Sequence, residues 1–190
     1  LDGFTVRDGN ADATTQITVN GEVLLRGKGG GIYNINTTLD GNQFEALDVV
    51  NCTFINNAAI EGGGIYNGGF FKTNCFILDC SFLNNTATSG GGVYNGGYAL
   101  SNFTADRCKF INNTATANGG GFSNGDNSNL GYFTISNSSF NDNNAFSGGG
   151  IYNAAANPSQ SRAQNSNFIG NTANQGSSVY TTNSVFPGDI

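Results

Sequence analysis

A six-residue motif returns along the chain at an almost constant spacing, and this spacing restricts the fold more than any other feature. Its clearest copies are Cys52–Asn57, Cys80–Asn85 and Cys108–Asn113, and Ser138–Asn143 and Ser166–Asn171 are looser copies. The Phe residues of successive copies are 28, 28, 30 and 28 residues apart. A period of this length is typical of solenoid proteins, in which each repeat packs only against its neighbours.

A second motif follows each copy of the first, and it consists of three Gly, an apolar residue, Tyr or Ser, and Asn. The copies that follow the first motif are Gly62–Asn67, Gly90–Asn95, Gly119–Asn124, Gly148–Asn153 and a degenerate copy at Gly176–Tyr180, and an earlier copy stands at Gly29–Asn34. Before each first motif, apolar residues alternate at a spacing of two, as Leu47 and Val49 do. This alternation predicts β-strands, while Asn and Gly favour sharp corners between them.

Each period therefore predicts three short strands. Three strands per period form one rung of an all-β, right-handed, single-stranded parallel β-helix. The handedness follows the rule for parallel crossovers. We expect about six rungs of about 28 residues, which would form a rod about 30 Å long. We expect residues 1–190 to be one β-helix domain or an excised segment of a longer one. The approximate rungs are 1–43, 44–71, 72–99, 100–129, 130–157 and 158–190.

Matched positions in successive rungs predict rows of stacked side chains along the solenoid axis. An interior Phe row is predicted at Phe54, Phe82, Phe110, Phe140 and Phe168. A second apolar row is predicted at Ile65, Val93, Phe122, Ile151 and Val179, and a corner row at Ala59, Ala87, Ala115, Ala145 and Ala173. An Asn ladder is predicted at Asn57, Asn85, Asn113, Asn143 and Asn171. Phe4, Val6 and Asp8 are assigned to the positions of Leu47, Val49 and Asn51, with an insertion near Ala11–Lys28.

Three of the four Cys residues occupy one position of the repeat, at Cys52, Cys80 and Cys108. Ser138 and Ser166 follow at the same position, which indicates a site for small side chains. We therefore predict a reduced, buried row and not a disulfide framework. The chain has no Cys-x-x-Cys pair and no His, so we expect no metal site and no cofactor.

The charge of the chain argues against one class of partner. The net charge is −6, and the seven Lys and Arg residues are scattered, whereas a nucleic-acid partner would favour a basic stripe. No run of about 18 apolar residues exists, so no transmembrane segment is predicted in this chain.

The pairing of Phe-x-x-Asn with Gly-Gly-Gly-Ile resembles the repeat of polymorphic outer membrane proteins, whose hallmarks are FxxN and GGA[ILV] motifs. The first motif matches at all five Phe positions of the predicted Phe row. The second matches at Gly63–Ile65, Gly91–Val93 and Gly149–Ile151, with Gly in place of its Ala. The segment Leu1–Ala11 is similar to the first rung of many bacterial secreted β-helix proteins.

The resemblance implies a non-catalytic module that is extracellular or displayed on a bacterial cell surface, in adhesion, binding or structural display. Its partner would be a surface glycan or another protein, and the chain could be a part of a longer polypeptide or assembly. Two alternatives remain: a carbohydrate-active enzyme of this fold, either a polysaccharide lyase or a glycoside hydrolase, and a passive spacer rod. We predict no enzyme activity and no catalytic residue, because Asp48, Asp79 and Asp106 occupy different positions of the repeat. Arg107 and Lys109 are interpreted as members of a surface ion-pair cluster with Asp79 or Asp106.

A Tyr row is the candidate ligand-binding feature. It comprises Tyr33, Tyr66, Tyr94, Tyr152 and Tyr180. Each follows an inward apolar residue, so strand alternation predicts that it points outward. An exposed Tyr row could stack on sugar rings or on a partner protein. The alternative is a half-buried row beneath the neighbouring loop.

Overall fold

The fold is a parallel β-solenoid, as the repeat predicts. The computed structural model describes residues 1–19, 22–36, 45–69, 72–96, 101–125, 131–154 and 160–182. These residues form 25 strands, which we number in chain order, and contain no α-helix. The rung boundaries predicted near residues 43, 71, 99, 129 and 157 lie outside the described residues.

Two of the four stacked sheets come from the region around the first motif. Sheet 1 precedes the motif and contains β6 (Glu45–Val50), β10 (Thr73–Leu78), β14 (Ser101–Asp106), β18 (Phe133–Ser136) and β22 (Arg162–Gln164). Sheet 2 contains the Phe row, and its strands are β1 (Thr5–Arg7), β7 (Thr53–Ile55), β11 (Ser81–Leu83), β15 (Lys109–Ile111), β19 (Ser139–Asn141) and β23 (Asn167–Ile169). All neighbours in these sheets pair in parallel, each strand with its counterpart one rung away.

The other two stacked sheets follow the first motif. Sheet 3 comprises β2 (Asn10–Ala11), β8 (Ala58–Ala59), β12 (Thr86–Ser89), β16 (Thr114–Asn118), β20 (Asn144–Ser147) and β24 (Thr172–Gln175). Sheet 4 comprises β5 (Ile32–Asn34), β9 (Ile65–Asn67), β13 (Val93–Asn95), β17 (Phe122–Asn124), β21 (Ile151–Asn153) and β25 (Val179–Thr181). The insertion in the first rung forms a separate antiparallel hairpin of β3 (Gln16–Val19) and β4 (Glu22–Leu25).

The rungs contain four strands where the sequence pattern predicted three. The additional strand is that of sheet 3, which carries the Ala row that was predicted at a corner. In β12, for example, Ala87 is buried between two exposed Thr residues, Thr86 and Thr88. So few residues separate Asn85 from Gly90 that a period of two is difficult to recognise in the sequence.

The register predicted for the first rung is wrong. Val6 pairs with Phe54, so that β1 belongs to sheet 2, and it does not align with Val49 of sheet 1. The error has a physical cause, because sheets 1 and 2 both end at a corner that favours Asn or Asp. Asn51 and Asn56 stand at these two corners with φ of 53° and 55°. An alternating apolar pattern that ends in Asp8 therefore fits either corner.

The third corner requires Gly, and it explains the first Gly of each triplet. Gly62 has a φ of 69°, and a Cβ atom on it would lie 2.3 Å from the carbonyl oxygen of Ile65. The equivalent Gly90 has a φ of 66° and the same close approach to Val93. A side chain at this position would therefore clash with the backbone of the following strand.

Rows of identical side chains fill the interior along the axis. The rings of the Phe row stack with centroids 4.8, 4.9, 4.5 and 5.0 Å apart and with interplanar angles of at most 8°. The predicted Phe, Ile/Val, Ala and Asn rows are all confirmed, with the members in the last rung more exposed than the others. No helix in the described part of the chain has the length and apolar character needed to cross a membrane.

Candidate binding site

The Tyr row forms two stacked groups on sheet 4. Tyr66 and Tyr94 stack with ring centroids 5.5 Å apart, and Tyr33 packs edge-on against Tyr66 at 5.2 Å. Tyr152 and Tyr180 form the second group, with centroids 5.8 Å apart. The alignment of the Tyr residues between rungs is therefore as the repeat predicts.

The structure agrees with the alternative of a row covered by the neighbouring chain, and the predicted exposed row is wrong at its centre. Tyr66 is 6% exposed and Tyr94 is 8% exposed, and the other three members are half-buried. Each of these two rings lies against the backbone that follows it. A Cβ atom on Gly96 would lie 2.2 Å from a ring carbon of Tyr94, and one on Gly68 would lie 3.0 Å from the Tyr66 hydroxyl oxygen. Strand alternation points these side chains away from the interior, but the chain after each Tyr covers them.

A lysine occupies the space beside the two buried rings of this row. The Lys28 ammonium lies 4.6 Å from the ring centroid of Tyr66 and forms an ion pair with Glu61. Burial, with a contribution from the charge of Glu61, raises the pKa of Tyr33. The Tyr66 end of the row therefore belongs to an internal cluster of cation–π and ion-pair contacts. A sugar ring could stack there only by displacing Lys28.

Arg107 joins carboxylates from two rungs at the corner between sheets 1 and 2. Its Nε and Nη2 donate to the two carboxylate oxygens of Asp79, each at 2.8 Å, and its Nη1 donates to Asp106 at 2.9 Å. The second carboxylate oxygen of Asp106 accepts hydrogen bonds from Ser136 Oγ and Asn137 Nδ2, both at 2.7 Å. The ion-pair interpretation of Arg107 is thus confirmed.

This network keeps both carboxyl groups ionised. The hydrogen bonds from Arg107 lower the pKa of Asp79, and the hydrogen bonds from Ser136 and Asn137 lower the pKa of Asp106. A general acid that protonates a leaving group near neutral pH needs a raised pKa. The pair of Asp residues therefore has electrostatics that oppose the chemistry of a glycoside hydrolase.

A groove of about 310 Å³ lies beside this network, and we call it the corner groove. It is lined by Arg107, Cys108, Lys109, Asn137, Ser138, Ser139, Asn165 and Asn167. Two columns of the repeat form its sides, one directly before and one directly after the Cys/Ser position. In the second column Lys109, Ser139 and Asn167 are paired in register on consecutive strands. The long side chains of one rung thus stand beside short ones on the next two rungs.

Only part of this groove was apparent in the sequence. Arg107 and Lys109 were recognised as a charged cluster, whereas the Asn and Ser residues of the following rungs were not connected with them. The signal was present in the repeat, because a change from long to short side chains occurs in both columns after the same rung. In the described part of the chain, no three His, Cys, Asp or Glu side chains are grouped so that they could hold a metal ion.

Comparison with known families gives a match over a short segment of the chain. Residues 79–96 match the Chlamydia polymorphic membrane protein repeat. This segment contains Phe82–Asn85 and Gly90–Val93, the two motifs on which the resemblance was based. No curated protein and no solved structure matches the chain. The resemblance is thus confirmed, and the chain is a parallel β-solenoid that carries a repeat similar to that of the Chlamydia polymorphic membrane proteins.

Proposed function

We propose that the chain is a non-catalytic module of a bacterial surface or outer-membrane protein, and that it serves in adhesion by displaying side chains on a rigid rod. The observation that carries this proposal is the continuous packing of the interior. The Phe row and the Asn ladder run through successive rungs without a break, and the first four of the five Phe rings are fully buried. The family match at residues 79–96 supports the surface location.

The outer faces supply the binding capacity that adhesion requires. Outward side chains from successive rungs are about 4.8 Å apart, so any partner meets a regular array and not a single pocket. An extended glycan or a strand of another protein suits such an array. A passive spacer rod would have the same interior, and only a binding measurement separates the two functions.

The surface location can be tested with antibodies against the purified chain. They should label intact cells that make the protein, and lysis should add little further signal. Labelling that requires lysis would contradict the surface location. Adhesion is tested separately with beads coated with the folded chain, which should be retained on cultured cells or on extracellular matrix. Beads coated with the heat-unfolded chain are the control, and equal retention of the two would favour the spacer rod.

The enzyme alternative has a direct test of its own. Neutral and acidic polysaccharides, incubated with the chain with and without calcium, should release no reducing ends and no unsaturated ends. The physical reason is that Asp79 and Asp106, the carboxylates brought together across rungs, are both held ionised by hydrogen bonds. Release of ends that disappears in the Asp79→Asn or Asp106→Asn variant would establish the lyase or hydrolase instead.

A further inference from the structure

The corner groove contains a cation, Lys109, whose charge no carboxylate of the described residues neutralises. Lys109 is exposed, and within the described residues it forms no ion pair. Its neighbour Arg107 differs, because Asp79 and Asp106 together hold that guanidinium in place. Since none of the described residues that line the groove is a carboxylate, the Lys109 ammonium is the group available to an incoming anion.

The remaining groove residues supply hydrogen-bonding groups suited to hydroxyls. The amides of Asn165 and Asn167 are exposed, and each offers two N–H donors and a carbonyl acceptor. Asn137 donates to Asp106 through Nδ2, so its Oδ1 remains available to accept a hydrogen bond from a ligand. Arg107 has two further N–H groups beyond the three that it donates to the two Asp residues. The groove therefore combines one free positive charge with several paired donors and acceptors.

These groups are arranged at the repeat of the solenoid. Ser139 and Asn167 follow Lys109 on consecutive rungs, and Asn137 and Asn165 follow Arg107 on the same two rungs. The rung spacing of about 4.8 Å is close to the length of one sugar residue in a glycan chain. Successive sugars lying along the groove would thus meet equivalent amides on successive rungs.

We propose that the corner groove binds an acidic oligosaccharide, with Lys109 paired to a carboxylate or sulfate group and with Asn165 and Asn167 hydrogen-bonded to the hydroxyls. This inference rests on the proposed binding function and names its ligand class. Arg107 is a preorganised donor, because its two carboxylate partners fix the guanidinium before the ligand arrives. The interaction is salt-dependent, since the groove is open to solvent and the ammonium is exposed.

The test is a titration of the chain with three oligosaccharides of equal length. One alternates a uronic acid with an N-acetylhexosamine, the second is its O-sulfated form, and the third is a neutral N-acetylhexosamine oligomer. At least one acidic oligosaccharide should bind at least fivefold more tightly than the neutral one, and the comparison of the two acidic ones distinguishes carboxylate from sulfate. Amide NMR shifts should locate the bound ligand at Asn165 and Asn167.

Lys109→Gln should weaken binding of the acidic ligand about fivefold, which corresponds to about 1 kcal/mol for an exposed charge-assisted contact. Arg162→Gln is the matched control, because Arg162 is another exposed cation without an ion pair in the described chain and its loss changes the net charge equally. It should leave the affinity unchanged. Equal losses in both variants, or no preference for acidic over neutral ligand, would overturn the proposal. Retention of coated beads on cells despite such a result would leave the proposed adhesion standing.

Discussion

At the scale of single residues, buried Asn amides connect the rungs through two ladders. In the first, Asn85 Oδ1 accepts from both the backbone N–H and the Nδ2 of Asn57, while its own Nδ2 donates to Phe54 and Asn113. The second ladder comprises Asn34, Asn67, Asn95, Asn124 and Asn153, with Nδ2–Oδ1 distances of 2.6–2.9 Å. A buried amide with all its hydrogen bonds stabilises the fold, whereas an unpaired one is destabilising.

The second ladder ends in an unsatisfied contact, which gives a prediction. Thr181 stands where the next Asn would be, and both its Oγ1 and the Nδ2 of Asn153 are buried with no hydrogen-bond partner among the described residues. Thr181→Asn should therefore extend the ladder and raise the free energy of unfolding by about 1 kcal/mol. Urea unfolding measures the change, and Thr181→Val is the control, which removes the unpaired hydroxyl but gives Asn153 Nδ2 no acceptor and should therefore gain less stability. A Thr181→Asn variant no more stable than the control would contradict the ladder geometry.

The stacked interior predicts a large contrast between two substitutions. Phe110 is fully buried between the rings of Phe82 and Phe140, so Phe110→Ala should lower the free energy of unfolding by about 3–5 kcal/mol. Thr116 is exposed on β16, and Thr116→Ala should change it by less than about 0.5 kcal/mol. Thermal or urea unfolding provides the comparison. Similar effects for the two variants would show that the inward and outward faces are assigned incorrectly.

The sequence predicted the interior rows well but could not decide whether the Tyr row is exposed or covered, and the difference is physical. A row such as Phe54 to Phe168 depends only on matched positions, which the repeat spacing reveals. The burial of Tyr94 depends on the path of the backbone at Gly96, after the strand has ended. Alternation describes the side of a strand on which a residue lies, and it carries no information about what covers that side.

At the scale of structural elements, the corner between sheets 1 and 2 shows why one position accepts both Cys and Ser. The thiols of Cys52, Cys80 and Cys108 donate to the carbonyl two residues earlier at 3.1, 3.3 and 3.2 Å. The hydroxyls of Ser138 and Ser166 make the same bond at 2.7 and 2.9 Å. The position therefore selects a small side chain with a hydrogen to donate, and a disulfide would remove this donor.

We accordingly expect four free thiols. All four Cys residues are buried as thiols, and the contact with Cys80, together with burial, raises the pKa of Cys108. Alkylation should be slow in the native protein and complete after denaturation, with mass spectrometry counting four modified residues. Cys108→Ser should retain nearly full stability, since Ser138 makes the equivalent bond one rung later. Any pair of Cys residues that stays protected after denaturation would show that a disulfide is present.

The hairpin of β3 and β4 marks the limit of what the repeat can predict about elements. The insertion near Ala11–Lys28 was recognised as an interruption, but its antiparallel pairing follows from local contacts that have no counterpart in other rungs. Its Ile17 and Val23 side chains are exposed, so the solenoid core does not include them. A repeat period predicts only the elements that recur from rung to rung, so it gives no information about the structure of an element that is inserted once.

At the scale of the whole molecule, register is the property from which the other features follow. When matched positions lie directly above one another, Phe rings stack, Asn amides form ladders, and short and long side chains produce the corner groove. The repeat spacing was sufficient to predict this architecture. The proposed ligand-binding function was less accessible, because the corner groove combines residues from three rungs that form no recognisable motif.

The most direct test of the stacked architecture is the distance between nitroxide spin labels placed in one outward column of sheet 2. Thr5, Ser139 and Asn167 belong to this column, and labels there replace exposed or half-exposed side chains. With four rung steps from Thr5 to Ser139 and five to Asn167, pulsed electron resonance should give distances of about 19 and 24 Å. The unsubstituted protein is the labelling control, because its four Cys residues are buried. Narrow distance distributions would support the stacked rungs if the mean distance is about one strand spacing longer for the Thr5–Asn167 pair than for the Thr5–Ser139 pair. Broad distributions, or distances that do not increase with the number of rungs, would contradict them.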